Sequence, residues 1–205
     1  MSNSIINDAR RALARGVAKL TNSGLFVPTS KNGEQGICIG GVFSVFDLDY
    51  QGRRMGEGHN RVVTSGLNHL LNVLVGKTPV APLYLAPFIN DVQPQANWTA
   101  ANFNSIAGEF IAYEAAQRPQ WNVETTTTAE LTNIADIANA TLVLSAGGPY
   151  TIRGCALLSA VGKQSTTGVL FAAGRFDADI TGLAAGGKLG LEYRLAARDS
   201  ADPAP

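Results

Sequence analysis

The stretch ICIGGVFSVF at residues 37–46 is the clearest β-forming segment in the first half of the chain. It is apolar and rich in β-branched and aromatic residues, and Leu48 and Tyr50 continue it with alternation. This composition and this period are typical of a β-strand. The next residues, QGRR at 51–54, have the composition of a turn into the second strand of a hairpin. The sequence therefore predicts β-structure from residue 37 onward.

The last third of the chain has the same β-forming composition. Strands are predicted over residues 140–145, 150–159, 169–176 and 188–197. Glycine-containing turns separate these strands, and Gly154 inside the second one indicates a bulge or a close backbone approach. Several short strands at this spacing are typical of an antiparallel sandwich. We therefore predict a mainly β domain over residues 25–198, folded as an antiparallel β-sandwich of the jelly-roll-like or immunoglobulin-like type.

The middle of the chain mixes helical and irregular signals. Ser65 is predicted to cap one short internal helix over residues 65–75. Three prolines within residues 79–87 favour an edge strand or an irregular segment. Thr99 is suited to cap a single helical turn, and residues 109–115 alternate as a strand does.

An amphipathic helix is predicted over residues 4–20, ahead of the β-region. Its apolar residues recur at three- or four-residue steps and so share one face: Ile6, Ala9, Leu13, Val17 and Leu20. Its charged residues are Asp8, Arg10, Arg11, Arg15 and Lys19. These charges sum to +3, and because the whole chain sums to +0, the remainder carries −3. We predict an arm, residues 1–24, that either packs on its own domain or docks on a neighbouring subunit, and a flexible tail over residues 199–205.

The charge content limits the classes of function. Asp, Glu, Lys and Arg make up 16% of the 205 residues, against about 25% in a typical soluble domain. Sixteen basic and sixteen acidic residues cancel, which excludes a globally basic protein that binds nucleic acid by neutralising phosphates. Chains near zero net charge tend to self-associate. The surface is therefore expected to be either crowded with uncharged polar residues or partly buried against other subunits.

Metal-binding and membrane-spanning classes are disfavoured as well. Cys38 and Cys155 lie in apolar stretches, and His59 and His69 are the only histidines. A zinc site of the usual type needs four clustered ligands, so we expect no metal or other cofactor. A Cys38–Cys155 disulfide is the alternative to buried free thiols, which we predict because free cysteine packs as a small apolar residue. No run of about 18 apolar residues marks a transmembrane helix. Charges stand where a secretory signal would be apolar, so we expect a chain made in the cytoplasm.

Candidate catalytic groups are few. His59 lies in a Gly-rich turn, and His69 lies in the leucine-rich helix that Ser65 is predicted to cap. Asp47 and Asp49 are two residues apart and share one side of a strand. Such a pair suits cation binding or acid–base work, but it is more typical of a strand end that enters solvent. We therefore predict no enzymatic activity.

Four segments resemble a group of tailed-bacteriophage structural proteins. These segments are NRVVTSGLNHLL at residues 60–71, YEAAQRPQW at 113–121, IRGCALL at 152–158 and GVLFAAGRF at 168–176. The first resembles N-x-V-T-x-x-G-L-N-x-L-L of that group. The second resembles Y-x-E-A-x-R-P-x-W, with the Tyr-to-Glu spacing one residue shorter here. The other two follow in the expected order, so the resemblance covers about residues 60–197.

This resemblance implies a non-enzymatic protein of a phage virion. The first expectation is a decoration or cement protein on the capsid exterior, in contact with the major capsid protein and with copies of itself. One alternative is a tail, neck or fibre-base adaptor component that contacts tail or neck proteins. Another, from a different class, is a carbohydrate-binding β-sandwich module. No nucleic acid or membrane partner is expected, and the location implied is the virion, assembled in the bacterial host cytoplasm.

The predicted interface combines the arm with two residues of the second resembling segment. Its members are Ile6, Arg10, Leu13, Arg15, Val17, Arg118 and Trp121. The guanidinium of Arg118 is suited to satisfy several buried carbonyls in a fixed geometry, with Trp121 sealing it. The alternative for Arg118 is a surface arginine at a strand end.

Overall fold

A computed structural model of the chain describes residues 37–199. Its strands are β1 Ile37–Asp47, β2 Arg53–Val62, β3 Tyr84–Phe88, β4 Glu130–Thr132, β5 Thr141–Val143, β6 Tyr150–Leu158, β7 Leu170–Leu183 and β8 Lys188–Asp199. Its helices are α1 Thr64–Leu74, α2 Ala100–Ala107 and a kinked 3-10 segment, Ile134–Ala140. The predicted arm lies outside the described residues, and so does the predicted tail beyond residue 199.

The strands form one curled antiparallel sheet, a half-barrel. Their order is β3-β6-β7-β2-β1-β8-β4, and β5 pairs with the other end of β8. Each of these strand pairs is antiparallel. The prediction of a mainly β, antiparallel protein is confirmed. The finer prediction of a two-sheet sandwich, jelly-roll-like or immunoglobulin-like, is not confirmed.

The hairpin between β1 and β2 follows from its turn residues. Gln51 and Gly52 have φ values of 56° and 71°, and Arg53 N donates to Tyr50 O at 3.1 Å. Positive φ at both central residues defines the type I′ turn, whose twist matches that of paired strands. Asp47 Oδ1 supports the turn by accepting hydrogen bonds from the backbone at positions 49 and 50. The predicted turn is confirmed.

Strand β2 changes partner along its length. Its first part pairs with β1, where His59 lies opposite Val42, and from Asn60 onward it pairs with β7. At this point Gly41 N donates to Asn60 Oδ1 at 2.5 Å, and Asn60 Nδ2 donates to Tyr193 Oη at 2.7 Å. Both ends of the buried Asn60 amide are thus satisfied, and this side chain joins β1, β2 and β8.

Two clusters of buried side chains form the core. The larger one includes Phe43 and Tyr193, whose rings stack with centroids 4.3 Å apart. The smaller one includes Phe88, Trp98 and Phe103, with ring centroids 6.2–6.5 Å apart. Because its members come from α2, β3 and β6, this cluster packs α2 against one end of the sheet.

The two helices predicted for the middle of the chain are present as α1 and α2, but one predicted cap is wrong. Val63 occupies the N-cap position of α1 without a side-chain hydrogen bond. Ser65 falls inside the first turn, where its hydroxyl donates to Leu170 O of β7 at 2.8 Å. Thr99 does cap α2, in a reciprocal capping box with Asn102. That helix is longer than the single turn expected from the sequence.

Residues 109–121, here called the edge segment, form an irregular stretch along the free edge of β3. Three backbone hydrogen bonds join the two, from Phe110 N to Pro87 O, from Leu85 N to Pro119 O and from Trp121 N to Leu83 O. The predicted strand over residues 109–115 is therefore wrong. Pro87 and Pro119 lack an N–H group, so a continuous ladder cannot form here. The prediction of an edge strand within residues 79–87 is confirmed by β3.

Gly154→Ala is expected to destabilise the fold. A Cβ at this position would collide with the ring of Phe88 and with the carbonyl oxygen of Gly174, as the sequence prediction of a close approach implies. Such overpacking costs about 1–3 kcal/mol, and each kcal/mol lowers the melting temperature by about 2–4 °C in a chain of this size. The control is Gly162→Ala, whose Cβ would lie 3.9 Å from Ser165 Cβ. Equal melting temperatures for the two variants would contradict this prediction.

Candidate functional site

A fully buried ion pair holds the edge segment. Arg118 Nε and Nη2 donate to Glu109 Oε1 and Oε2, each at 2.7 Å, and both side chains are 0% exposed. Arg118 Nη1 also donates to Ala160 O at 2.7 Å, and Glu109 Oε2 accepts from Gln164 N at 2.6 Å. This bidentate geometry fixes both partners. The pair thus joins the two ends of the edge segment to the loop between β6 and β7.

The ion pair is suited to positioning the chain. Two charges removed from water are tolerated only with good geometry and further hydrogen bonds, and both conditions are met here. Residue type alone predicts several carbonyl partners for Arg118, whereas the structure provides one carbonyl and the Glu109 carboxylate. Sequence reasoning missed Glu109, because no local pattern links residues nine positions apart in an irregular segment. The one sequence signal for Glu109 is that an acidic residue stands directly before a run of apolar residues.

Trp121 anchors the end of the edge segment. Its Nε1 donates to Tyr193 O at 2.8 Å, and the two rings lie 5.5 Å apart. Tyr193 N in turn donates to Asn133 Oδ1 at 2.9 Å. The single polar group of the indole is therefore bound to β8 and not to Arg118. These contacts tie the edge segment, which lies along β3 at one end of the strand order, to β8 near the other end.

The predicted interface residues fall into two groups. Those of the arm lie outside the described residues, namely Ile6, Arg10, Leu13, Arg15 and Val17. Arg118 and Trp121 lie inside the protomer, 3% and 9% exposed. Both residues therefore shape the edge segment from within, and in this conformation they present almost no surface to another subunit.

Lys163 makes a second polar contact with the edge segment. Its Nζ lies 3.5 Å from the centroid of the Tyr113 ring and donates to the carbonyl oxygens of Ile111 and Tyr113. Loss of solvent lowers the pKa of Lys163, and burial together with the charge of Glu109 raises the pKa of Tyr113. Within residues 37–199, Tyr113 Oη is the buried side-chain polar atom that lacks a hydrogen-bond partner.

An open polar cleft of about 690 Å³ lies between β2, β7 and the loop that follows β3. His59, Arg61 and Asp177 are among the side chains that line it. These groups can donate and accept hydrogen bonds, so the cleft can hold a polar ligand or a polar stretch of a partner.

A chain of ion pairs crosses one wall of this cleft. Arg175 donates to Asp91 at 2.9 Å and to Asp179 at 2.6 Å, and Arg153 donates to Asp179 at 2.9 Å. Although desolvation acts in the opposite direction, the hydrogen bonds from Arg175 and Arg153 hold the pKa of Asp179 below its ordinary value. Because these charges are paired with one another, this wall has little net charge.

The candidate catalytic residues are spread over β1, β2, α1 and the β1–β2 turn, and three of them hydrogen-bond to the backbone. His59 is exposed on β2, and His69 is half-buried on α1. Ser65 donates to the backbone of β7, Asp47 binds the turn after β1, and Asp49 accepts from the first N–H of β8. Across residues 37–199 no group of three or more His, Cys, Asp or Glu side chains is placed to hold a metal ion.

Cys38 and Cys155 are both free and buried, as predicted. Burial raises the pKa of the Cys155 thiol, which keeps it in the unreactive protonated form. Among the helices of the described residues, none combines the length and the apolar character needed to cross a membrane.

No family model, no curated protein and no solved structure matches the chain.

Arg118→Met is expected to lower the free energy of unfolding by about 3–5 kcal/mol, because it leaves the Glu109 carboxylate buried without a cation. Urea denaturation followed by tryptophan fluorescence measures the loss. The matched control is Arg54→Met, since Arg54 pairs with Glu57 at 2.5 Å on the surface, where a pair contributes less than about 1 kcal/mol. Losses of the same size in both variants would refute the structural role of the buried pair.

Tyr193→Phe and Tyr113→Phe are expected to have different effects on stability. The first removes the acceptor of the buried Asn60 Nδ2, and an unsatisfied donor costs about 1–3 kcal/mol. The second removes a hydroxyl that has no partner, so the free energy of unfolding should stay the same or rise. Thermal denaturation of the two variants in parallel checks this difference, and a larger loss in Tyr113→Phe would overturn it.

Proposed function

We propose that the chain is a non-enzymatic structural protein of a tailed-phage virion, namely a decoration or cement protein bound to the capsid exterior. Its partners are the major capsid protein and further copies of itself, so that it braces capsomers as an oligomer. Its location is the virion, assembled in the bacterial host cytoplasm. A sandwich architecture, jelly-roll-like or immunoglobulin-like, belongs to the same proposal.

The proposal rests on the resemblance predicted from the sequence, and one observation supports it: the four segments that carry the resemblance meet in one part of the fold. Residues 60–71 form the end of β2 and most of α1, residues 152–158 lie in β6, and residues 168–176 lead into β7. β7 pairs with both β2 and β6. Residues 113–121 belong to the edge segment, which covers β3 next to β6.

The polar residues of these segments support a shared architecture. Asn60 bridges three strands, Arg118 binds the buried Glu109, and Trp121 binds Tyr193. Similarity that is concentrated on the residues that hold a frame together favours a common building block over a common reactive site. A building block of a shell also accounts for the low charge content, because part of its surface is buried against neighbours.

Removal of residues 1–22 is expected to abolish attachment to phage heads that lack this protein. The proposal assigns the apolar face of the arm, including Ile6, Leu13 and Val17, to a capsid or subunit contact, whereas the β-domain begins later in the chain. Attachment is measured as copies per purified particle by quantitative mass spectrometry, and folding by circular dichroism.

Since the arm carries a net charge of +3 and the rest of the chain −3, attachment of the full chain to phage heads should weaken between about 0.05 and 0.5 M salt.

Full occupancy by the truncated chain would contradict the role of the arm, and attachment that is indifferent to salt would contradict its electrostatic part. The number of copies in native virions separates the two locations. Hundreds of copies indicate the shell, whereas about six to a few dozen, as the symmetry of a tail dictates, indicate a tail, neck or fibre-base adaptor.

The polar cleft favours a second candidate, a carbohydrate-binding module. Polar groups such as His59, Arg61 and Asp177 can bind sugar hydroxyls in a cleft of about 690 Å³. A glycan array distinguishes this candidate: specific binding that is lost in Arg61→Ala would favour the module, and the absence of binding leaves the virion protein.

A further inference from the structure

An apolar surface is exposed on α1 and on the residues that follow it. Four large apolar side chains here are 60–81% exposed, namely Leu71, Leu74, Val75 and Val80. They are called the α1 surface below. α1 also packs on the domain, where Gly66 lies against the Phe171 carbonyl and Leu70 contacts the larger core cluster. Leu71, Leu74 and Val75 are three and four positions apart and so lie next to one another on the helix, and an exposed apolar patch of this kind marks a binding site.

We propose that residues 4–20 of the same chain dock on the α1 surface in the free protein. Their apolar residues repeat with the period of a helix and supply a stripe about 21 Å long from Ile6 to Leu20. α1 is about 16 Å long, so a stripe of this length spans the whole helix. The inference concerns the unassembled chain and does not rest on the virion assignment.

The topology brings the start of the described chain within reach of α1. Ile37 lies four residues before Gly41, which binds Asn60, and Thr64 lies four residues after Asn60. At about 3.3 Å per extended residue, Ile37 and Thr64 therefore each lie within about 13 Å of the hydrogen bond between Gly41 and Asn60. The far end of α1 then lies no more than about 47 Å from Ile37. Residues 21–36 span up to about 53 Å when extended, so the arm can reach all of α1.

The small size of the α1 surface favours a tethered occupant over a second copy. A specific interface between separate chains buries about 800 Å² on each partner and uses about 20–30 residues a side. The α1 surface offers four large apolar side chains. A segment tethered by a short linker acts at an effective concentration in the millimolar range, so a weak contact is sufficient to keep it bound.

The distribution of charged residues indicates that apolar packing, and not charge attraction, would hold the arm on the α1 surface. On a helix over residues 4–20, Arg11, Arg15 and Lys19 lie opposite the apolar stripe. Residues 64–80, which contain the α1 surface, have no acidic side chain to attract them. Docking should therefore be insensitive to salt, in contrast to the attachment to a capsid proposed above, so the two proposals can fail independently.

Paramagnetic relaxation in the full-length protein tests the contact. A nitroxide is attached at Ala12→Cys, which lies off the apolar stripe, and the native Cys38 and Cys155 are buried and do not compete for the label. We expect a several-fold loss of amide signal along α1. The β1–β2 turn at residues 48–53, at the opposite end of β1, should keep its signals.

A mixed sample separates the chain's own arm from that of a second copy. Isotope-labelled protein without nitroxide is mixed with unlabelled protein that carries it. Under the proposal the signals of α1 stay at full intensity in the mixture and are lost only when both labels share one chain. Loss of α1 signals in the mixture would show that a second copy fills the surface, which overturns the proposal.

Charge substitutions on the α1 surface supply the matched control. Leu71→Glu with Leu74→Glu should restore the α1 signals, and because both side chains are exposed the rest of the spectrum should not change. Ile134→Glu makes the same kind of change at an exposed apolar side chain of the 3-10 segment, which packs against β8, and should leave the signal loss intact. Undiminished α1 signals in the nitroxide-labelled parent, or signals that recover in 1 M salt, would overturn the proposal.

Discussion

The buried ion pair between Glu109 and Arg118 is the contact on which the irregular half of the structure depends. The edge segment has no ladder of its own, because prolines interrupt both it and β3. Its position must therefore come from side chains, and the pair fixes one side chain near each end. An uncovered β3 would present unpaired backbone groups to other chains. Burying two charges costs desolvation free energy, which is recovered only with good geometry. The bidentate hydrogen bonds of this pair provide that geometry and fix Glu109 and Arg118 relative to each other.

Tyr193 of β8 has a similar role for the strands around it. β2 leaves β1 for β7 at Asn60, and the amide of that residue would be unsatisfied in the core without the Tyr193 hydroxyl and the Gly41 N–H. The backbone of Tyr193 also binds Trp121 and Asn133. Tyr193 thus contacts both the point where β2 changes partner and the end of the edge segment. Polar contacts, which depend on direction, define this architecture where apolar packing alone would allow several arrangements.

Local patterns predicted the regular elements, because their cause is local. Period and turn chemistry identified the hairpin and the C-terminal strands, and Gly154 was identified as a close approach because only a missing side chain fits there. Alternation at residues 109–115 was misleading, because burial does not follow it: Glu109 and Phe110 are both buried, whereas Glu114 and Ala115 are both exposed. Arg118 was identified as important, but residue type does not tell whether its partner is a neighbouring subunit or Glu109. Such a partner is set by tertiary contacts that no spacing in the sequence encodes.

The low charge content has a different meaning once the α1 surface is considered. The positive charges of the arm and its apolar stripe belong to one segment, and the stripe cannot contact α1 and a neighbouring subunit at the same time. If the free chain keeps the stripe on α1, attachment must first release it, and the apparent affinity falls by the fraction of chains whose arm is released. The same docking covers apolar surface that a nearly neutral chain would otherwise expose to other copies. The arm would then keep free subunits apart before assembly and join them afterwards, with salt acting on the second step alone.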